Sequence, residues 1–108
     1  MSNDDDIYYW LDYFTTKPDI QEYSDPIEVQ RRAFRLLDAR IAYSPRKNKK
    51  YRIVNPYTNK YVDFGEMGYQ DYTKHKNKER RRLFKNRNHH WKNANPYTPA
   101  FLSYYLLW

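Results

Sequence analysis

Apolar residues recur at helical spacing near the start of the chain. They follow three consecutive aspartates, and a lysine and a proline come after them. Acidic residues favour the first turn of a helix, and proline ends one. The pattern predicts a first, short amphipathic helix, whose apolar face consists of Ile7, Trp10, Leu11 and Phe14.

A second helix is predicted to begin at Asp25 and to run to about Tyr43. Asp25 is a good N-cap, Pro26 suits the first helical position, and Glu28 is placed to reach back to the cap. Ser44 and a following proline would end the helix. Its predicted apolar face consists of Ile27, Phe34, Leu37 and Ile41.

Residues 50–54 and 60–64 are rich in strand-forming side chains and predict a β-hairpin. The tetrapeptide Asn-Pro-Tyr-Thr lies between them, at 55–58, and occurs again at 95–98; we interpret both copies as turns. Gly65 and Gly68, the chain's two glycines, follow the second strand and predict its tightest corner.

The last third predicts two more helices. Asn77 is the expected cap of a basic helix that runs to about His90. Thr98 is the expected cap of a short C-terminal helix with Pro99 at its first position. Residues 100–108 are apolar nearly all round, so this helix should be buried in the domain or in a partner.

Together these elements predict an α+β fold that is mostly helical: two N-terminal helices, one hairpin, a basic helix and an apolar C-terminal helix. A chain of 108 residues forms one small domain. Residues 1–42 carry nine acids and five bases, a net −4, whereas residues 43–108 carry four acids and fifteen bases, a net +11. We therefore divide the domain into an acidic helical arm, 1–45, and a basic module, 46–108.

The sequence offers little for catalysis. There is no cysteine, and the three histidines, His75, His89 and His90, lack the spacing of a metal site. No nucleophile motif or phosphate-binding glycine loop is present. We expect no catalytic residue, metal or cofactor, and hence no enzyme. No stretch reaches the roughly 20 apolar residues that span a bilayer.

Binding is the stronger signal. Basic residues that alternate with aromatic residues suit a nucleic-acid backbone with stacked bases, and equally an acidic protein surface. Both alternatives remain open, with protein contact preferred. The candidate partner-binding or nucleic-acid-binding residues are Lys78, Arg80, Arg81, Arg82, Lys85, Arg87, Tyr69 and Tyr72. The candidate apolar anchor consists of Phe101, Leu102, Tyr105, Leu106 and Trp108.

Several of these stretches resemble a small uncharacterised family of the nucleocytoplasmic large DNA viruses, the giant viruses. The resemblance covers roughly residues 49–108. The matching pieces are Val62-Asp63-Phe64-Gly65, Gly68-Tyr69-Gln70-Asp71-Tyr72-Thr73-Lys74-His75-Lys76, Glu79-Arg80-Arg81 with Arg87, and the closing segment 95–108. Members tend to have Asp-Pro where this chain has Asn77-Lys78.

The resemblance implies a viral setting and no settled activity. In that setting we expect a structural virion protein, a minor capsid protein that acts as cement or scaffold in the shell of a large DNA virus. Its partners would be other capsid proteins, and its location would be the capsid, with the host cell during assembly. The alternative is a basic virion protein that contacts the viral genome.

Overall fold

A computed structural model describes residues 17–108. They form a three-stranded antiparallel sheet, with helical segments before the first strand and after the last strand along the chain. A 3-10 turn, Ile20–Glu22, precedes helix α1, Pro26–Leu37. The strands are β1, Ile41–Tyr43, β2, Lys49–Asn55, and β3, Lys60–Glu66. The first predicted helix lies outside the described residues.

The second half of the chain is helical but broken into short pieces. After α2, Tyr72–His75, come α3, Lys78–Arg87, and a 3-10 segment, His89–Asn93. The chain then forms α4, Pro99–Leu102, and a π-helical turn, Ser103–Leu107. We call the last two elements together the C-terminal segment.

The predicted hairpin is present as β2 and β3. The predicted architecture is nevertheless wrong in the number of strands and in the length of the helix before the sheet. The sheet has three strands in the order β1-β2-β3, not two. Among the described residues one α-helix precedes the sheet, and it ends at Leu37 and not near Tyr43 as predicted. Helices of all types hold 47% of the described residues and strands 18%, so helices outweigh strands but make up slightly less than half of this part of the chain.

The missed strand comes from the end of α1. The helix stops at Leu37 because Asp38 adopts a left-handed conformation, with φ 51° and ψ 42°. Gln30, buried in α1, then holds the returning chain: its Nε2 donates to the Ala39 carbonyl at 2.9 Å, and its Oε1 accepts from the Ile41 amide at 2.8 Å. Ile41 therefore starts a strand and does not extend the helical stripe.

The three predicted helix starts that lie within residues 17–108 are confirmed. The Asp25 side chain accepts from the amides of Ile27 and Glu28. Glu28 does not reach back to the cap: the Asp25 amide donates to Thr73, and the Glu28 carboxylate pairs with Arg32. Asn77 caps α3, and Thr98 caps α4. The basic helix ends at Arg87, before the predicted His90.

The two Asn-Pro-Tyr-Thr stretches are turns, as predicted, and they share one side-chain hydrogen bond. The Asn55 side chain accepts from the Tyr57 amide at 2.9 Å, and the Asn95 side chain accepts from the Tyr97 amide at 3.1 Å. The two turns also meet in space, because the rings of Tyr57 and Tyr97 lie edge to face at 6.2 Å.

One hydrophobic core joins α1, the sheet and the C-terminal segment. Val29 and Ala33 of α1 are fully buried in it, and the sheet contributes alternate residues. The sheet residues in the core are Ile41, Tyr43, Tyr51, Ile53 and Phe64. Leu102, Leu106 and Leu107 complete it, so the C-terminal segment is part of this domain's own core.

Candidate functional site

A groove lies between α3, the loop after β3 and the C-terminal segment. Its volume is about 440 Å³, within the usual range for a ligand cleft. We call it the basic groove, because Arg80 and Arg87 lie on its rim. The apolar side chains that line it are Leu83, Phe84, Trp91, Leu107 and Trp108.

Helix α3 supplies one wall of the basic groove. Arg80, Leu83, Phe84 and Arg87 fall at i, i+3, i+4 and i+7, so they share one face of the helix. Leu83 remains 44% exposed although it is aliphatic. The wall therefore presents an apolar centre between two cations.

The two glycines shape the opposite wall of the groove. Gly65 has φ +83°, and a Cβ there would lie 3.0 Å from the Leu107 Cδ1 and 3.1 Å from Lys50 side-chain atoms. This absence of a side chain lets the C-terminal segment approach the sheet. Gly68, at φ +94°, then turns the chain so that Tyr69 lies at the rim, 73% exposed.

A buried polar network supports that wall. Lys50, whose side chain is 2% exposed, donates to an Asp71 carboxylate oxygen at 3.1 Å and to the Tyr69 carbonyl at 2.6 Å. Burial lowers the pKa of Lys50, and the Asp71 charge opposes that effect. The Thr73 hydroxyl donates to the other Asp71 oxygen and accepts from the Asp25 amide at 2.9 Å.

The network continues into the core. The Tyr51 hydroxyl donates to Ser24 at 2.7 Å, and Ser24 in turn lies 3.2 Å from the Thr73 hydroxyl. Desolvation raises the pKa of Tyr51 well above its usual value, so this hydroxyl stays protonated. Asp71 and Thr73, both within the Gly-Tyr-Gln-Asp-Tyr-Thr run, thus join the loop to β2 and to the start of α1.

The predicted cationic residues divide into two groups. Arg81 donates to the Trp108 carbonyl at 2.8 Å and lies over the Tyr72 ring at 4.9 Å. Lys85 rests over the Tyr104 ring at 4.3 Å. Burial, with neighbouring positive charges, lowers the pKa of Lys85 to about 8. These two cations therefore help to hold the domain together.

The other predicted cations are exposed. Arg82 is paired with Glu79 at 3.1 Å on the outer side of α3, and Lys78 lies at its first turn. Arg80 and Arg87 form no ion pair with any residue in 17–108, and the structure brings both of them to the groove.

Tyr72 and the predicted apolar anchor are mainly structural. The Tyr72 ring is surrounded by cations, with Arg32 and Lys76 at about the same 6 Å distance and Arg81 closer. Of the anchor residues, Leu102 and Leu106 lie in the core. The rings of Phe101 and Tyr105 contact each other, with their centroids 4.5 Å apart. The Trp108 ring stacks on Phe84 at a centroid distance of 4.2 Å.

Sequence reasoning missed Lys50 as a support of the site. In the predicted hairpin Lys50 alternates with Tyr51 and would face solvent, so no local signal reveals that it is buried. Asp71, in the loop after β3, indicated only that some basic side chain is neutralised there. No group of three potential metal ligands lies together in the described part of the chain.

Fold and groove together define a small α+β domain that carries a basic-rimmed apolar cleft. The sequence pattern of a family described as "Family of unknown function (DUF5754)" matches residues 39–88, which include the sheet and α3. No curated protein matches the chain, and no solved structure matches it. Among residues 17–108, no helix has the length and apolarity needed to cross a membrane.

Proposed function

We propose that this protein is a non-catalytic structural virion protein, a minor capsid protein that makes protein–protein contacts as cement or scaffold in the shell of a large DNA virus. The viral setting rests on the resemblance of residues 49–108 to a giant-virus family. The observation that carries the contact role is the basic groove, which is lined by the exposed Leu83 and Tyr69 and by two arginines that form no ion pair within residues 17–108.

The aromatic side chains of the groove favour a protein partner over a nucleic acid. Stacking on a base requires a free ring face. Phe84 and Trp108 already stack on each other, with an angle of 5° between their planes, and Trp91 lies edge-on to Phe84 at 6.0 Å. Tyr69 is left as the exposed ring of the groove. Apolar contact around Leu83 is typical of a protein interface.

The location of the protein tests this proposal. Particles of the virus that encodes the chain are purified, disrupted in steps and separated into shell and genome fractions. The proposal expects the chain to be present in particles and to remain with the capsid protein after the genome is released. Absence from particles would exclude a virion role.

A nucleic-acid-binding role is the second candidate, and exposed Arg80 and Arg87 favour it. Such a protein would bind DNA with an affinity that falls steeply as salt increases. The informative variant is Arg80→Gln with Arg87→Gln, because Arg81 bonds the C-terminal segment and its loss would disturb the fold. Salt-sensitive binding that this variant abolishes would favour the genome as the partner.

A further inference from the structure

We propose that the basic groove binds an acidic amphipathic helix of a protein partner, with two carboxylates seven residues apart on either side of an apolar pair. This inference deepens the proposed contact role and rests on it. It is carried by the charge balance of the groove and by the spacing of its two arginines.

The charge balance selects an acidic occupant. Glu66, on the wall opposite α3, is paired with Lys49, and the Asp71 carboxylate is neutralised by Lys50. Arg80 and Arg87 are the lining charges without an ionic partner in residues 17–108. An apolar surface flanked by two unpaired cations is complementary to an apolar segment flanked by two anions.

The spacing of the arginines selects a helix. Residues 80 and 87 are seven apart on α3, which places them two turns and about 10.5 Å apart along the axis. A partner helix lying alongside α3 presents acidic residues at i and i+7 with the same spacing, and its residues i+3 and i+4 point to the same side.

An extended segment does not match this spacing. With about 3.3 Å per residue, it reaches 10 Å between residues i and i+3. Those two side chains lie on opposite faces of a strand, because strand side chains alternate. An extended peptide that keeps both carboxylates on one face spaces them about 6.6 or 13 Å apart, so it fits the two arginines less well than a helix does.

The test measures binding of designed peptides to the full chain. The probe is a fluorescein-labelled, alanine-rich peptide of about 20 residues, which is above the length of about 12–15 residues at which isolated helices are marginal. It carries glutamates at i and i+7 and leucines at i+3 and i+4. The control peptide has the same composition in an order that puts glutamates and leucines on opposite faces. Fluorescence anisotropy reports the affinity.

Two double variants make the assay specific for the groove. Arg80→Gln with Arg87→Gln removes the rim charges. Lys78→Gln with Arg82→Gln removes the same charge from α3 outside the groove. All four side chains are exposed, so neither variant should unfold the protein. We expect the spaced peptide to bind about tenfold more tightly than the control peptide. Its affinity should fall about tenfold for Arg80→Gln with Arg87→Gln and should not change for Lys78→Gln with Arg82→Gln.

Three results would overturn the proposal: no binding of the spaced peptide, equal binding of the two peptides, or equal losses of affinity in the two double variants.

A single-stranded dT oligomer is included as competitor, to test the proposed function separately. If it displaces the peptide and depends on Arg80 and Arg87, the protein-contact function falls as well. If the spaced peptide fails and the oligomer also does not bind, only the helical occupant is excluded, and location in the particle still decides the proposed function.

Discussion

Replacing Lys50 with methionine should destabilise the domain strongly. Lys50 neutralises Asp71 at 3.1 Å, and both side chains are 2% exposed. Removing one partner of a buried ion pair costs about 3–5 kcal/mol, because the other charge stays buried without compensation. Native domains typically have a free energy of unfolding of only about 5–15 kcal/mol. Lys50→Met therefore removes a large part of the stability.

The neighbouring residue provides a matched control. Lys49 is paired with Glu66, whose side chain is 56% exposed. Exposed pairs contribute about 0–1 kcal/mol. Urea unfolding followed by circular dichroism should show a large fall in the midpoint for Lys50→Met and a small one for Lys49→Met, with unchanged slopes.

A double variant separates the ion pair from simple packing. Adding Asp71→Asn to Lys50→Met removes the uncompensated charge, so we expect part of the lost stability to return. The two substitutions should thus be non-additive. Equal effects of Lys49→Met and Lys50→Met, or additive effects of Lys50→Met and Asp71→Asn, would refute the view that a buried ion pair supports the groove.

Three further predictions concern the rest of the fold. Gly65→Ala should lower the free energy of unfolding by more than about 1 kcal/mol, because φ is +83° and the new Cβ would crowd Leu107. Gly68→Ala should lower it less, because its Cβ meets no atom within 4 Å and only the backbone is strained. The urea midpoints of the two variants test this difference. Burial lowers the pKa of His75 below its usual 6.5, so the unfolded chain takes up this proton first and stability should fall as pH drops through 6.5. His75→Gln should flatten the dependence of stability on pH in this range, and an unchanged dependence would refute the role of His75. Deleting residues 99–108 should abolish cooperative unfolding, because the C-terminal segment completes the core; a truncated chain that still folds would contradict this.

Helix caps could be predicted from the sequence, whereas features that depend on distant residues could not. The caps at Asp25, Asn77 and Thr98 could be predicted because each depends on a few adjacent residues. Strand β1 could not be, because Ile41 fits a helical stripe and a strand equally well. What decides between them is the contact from Gln30, eleven residues away.

The groove could be anticipated only in part. The sequence singled out the basic helix and Tyr69, and the structure places Arg80 and Arg87 at a groove. Nothing local distinguishes these arginines from Arg81, since Arg81 bonds the carbonyl of Trp108, 27 residues away. Which cations face a partner therefore depends on where the C-terminal segment packs.

Photo-crosslinking from Leu83 in assembled particles tests the central claim most directly. Leu83→benzoylphenylalanine places a photoreactive group in the groove, and the same group at exposed Lys47 serves as control. The account predicts that residue 83 cross-links to an acidic helix of a capsid protein and that residue 47 does not. Cross-links from residue 83 to nucleic acid, or the same products from both positions, would contradict it.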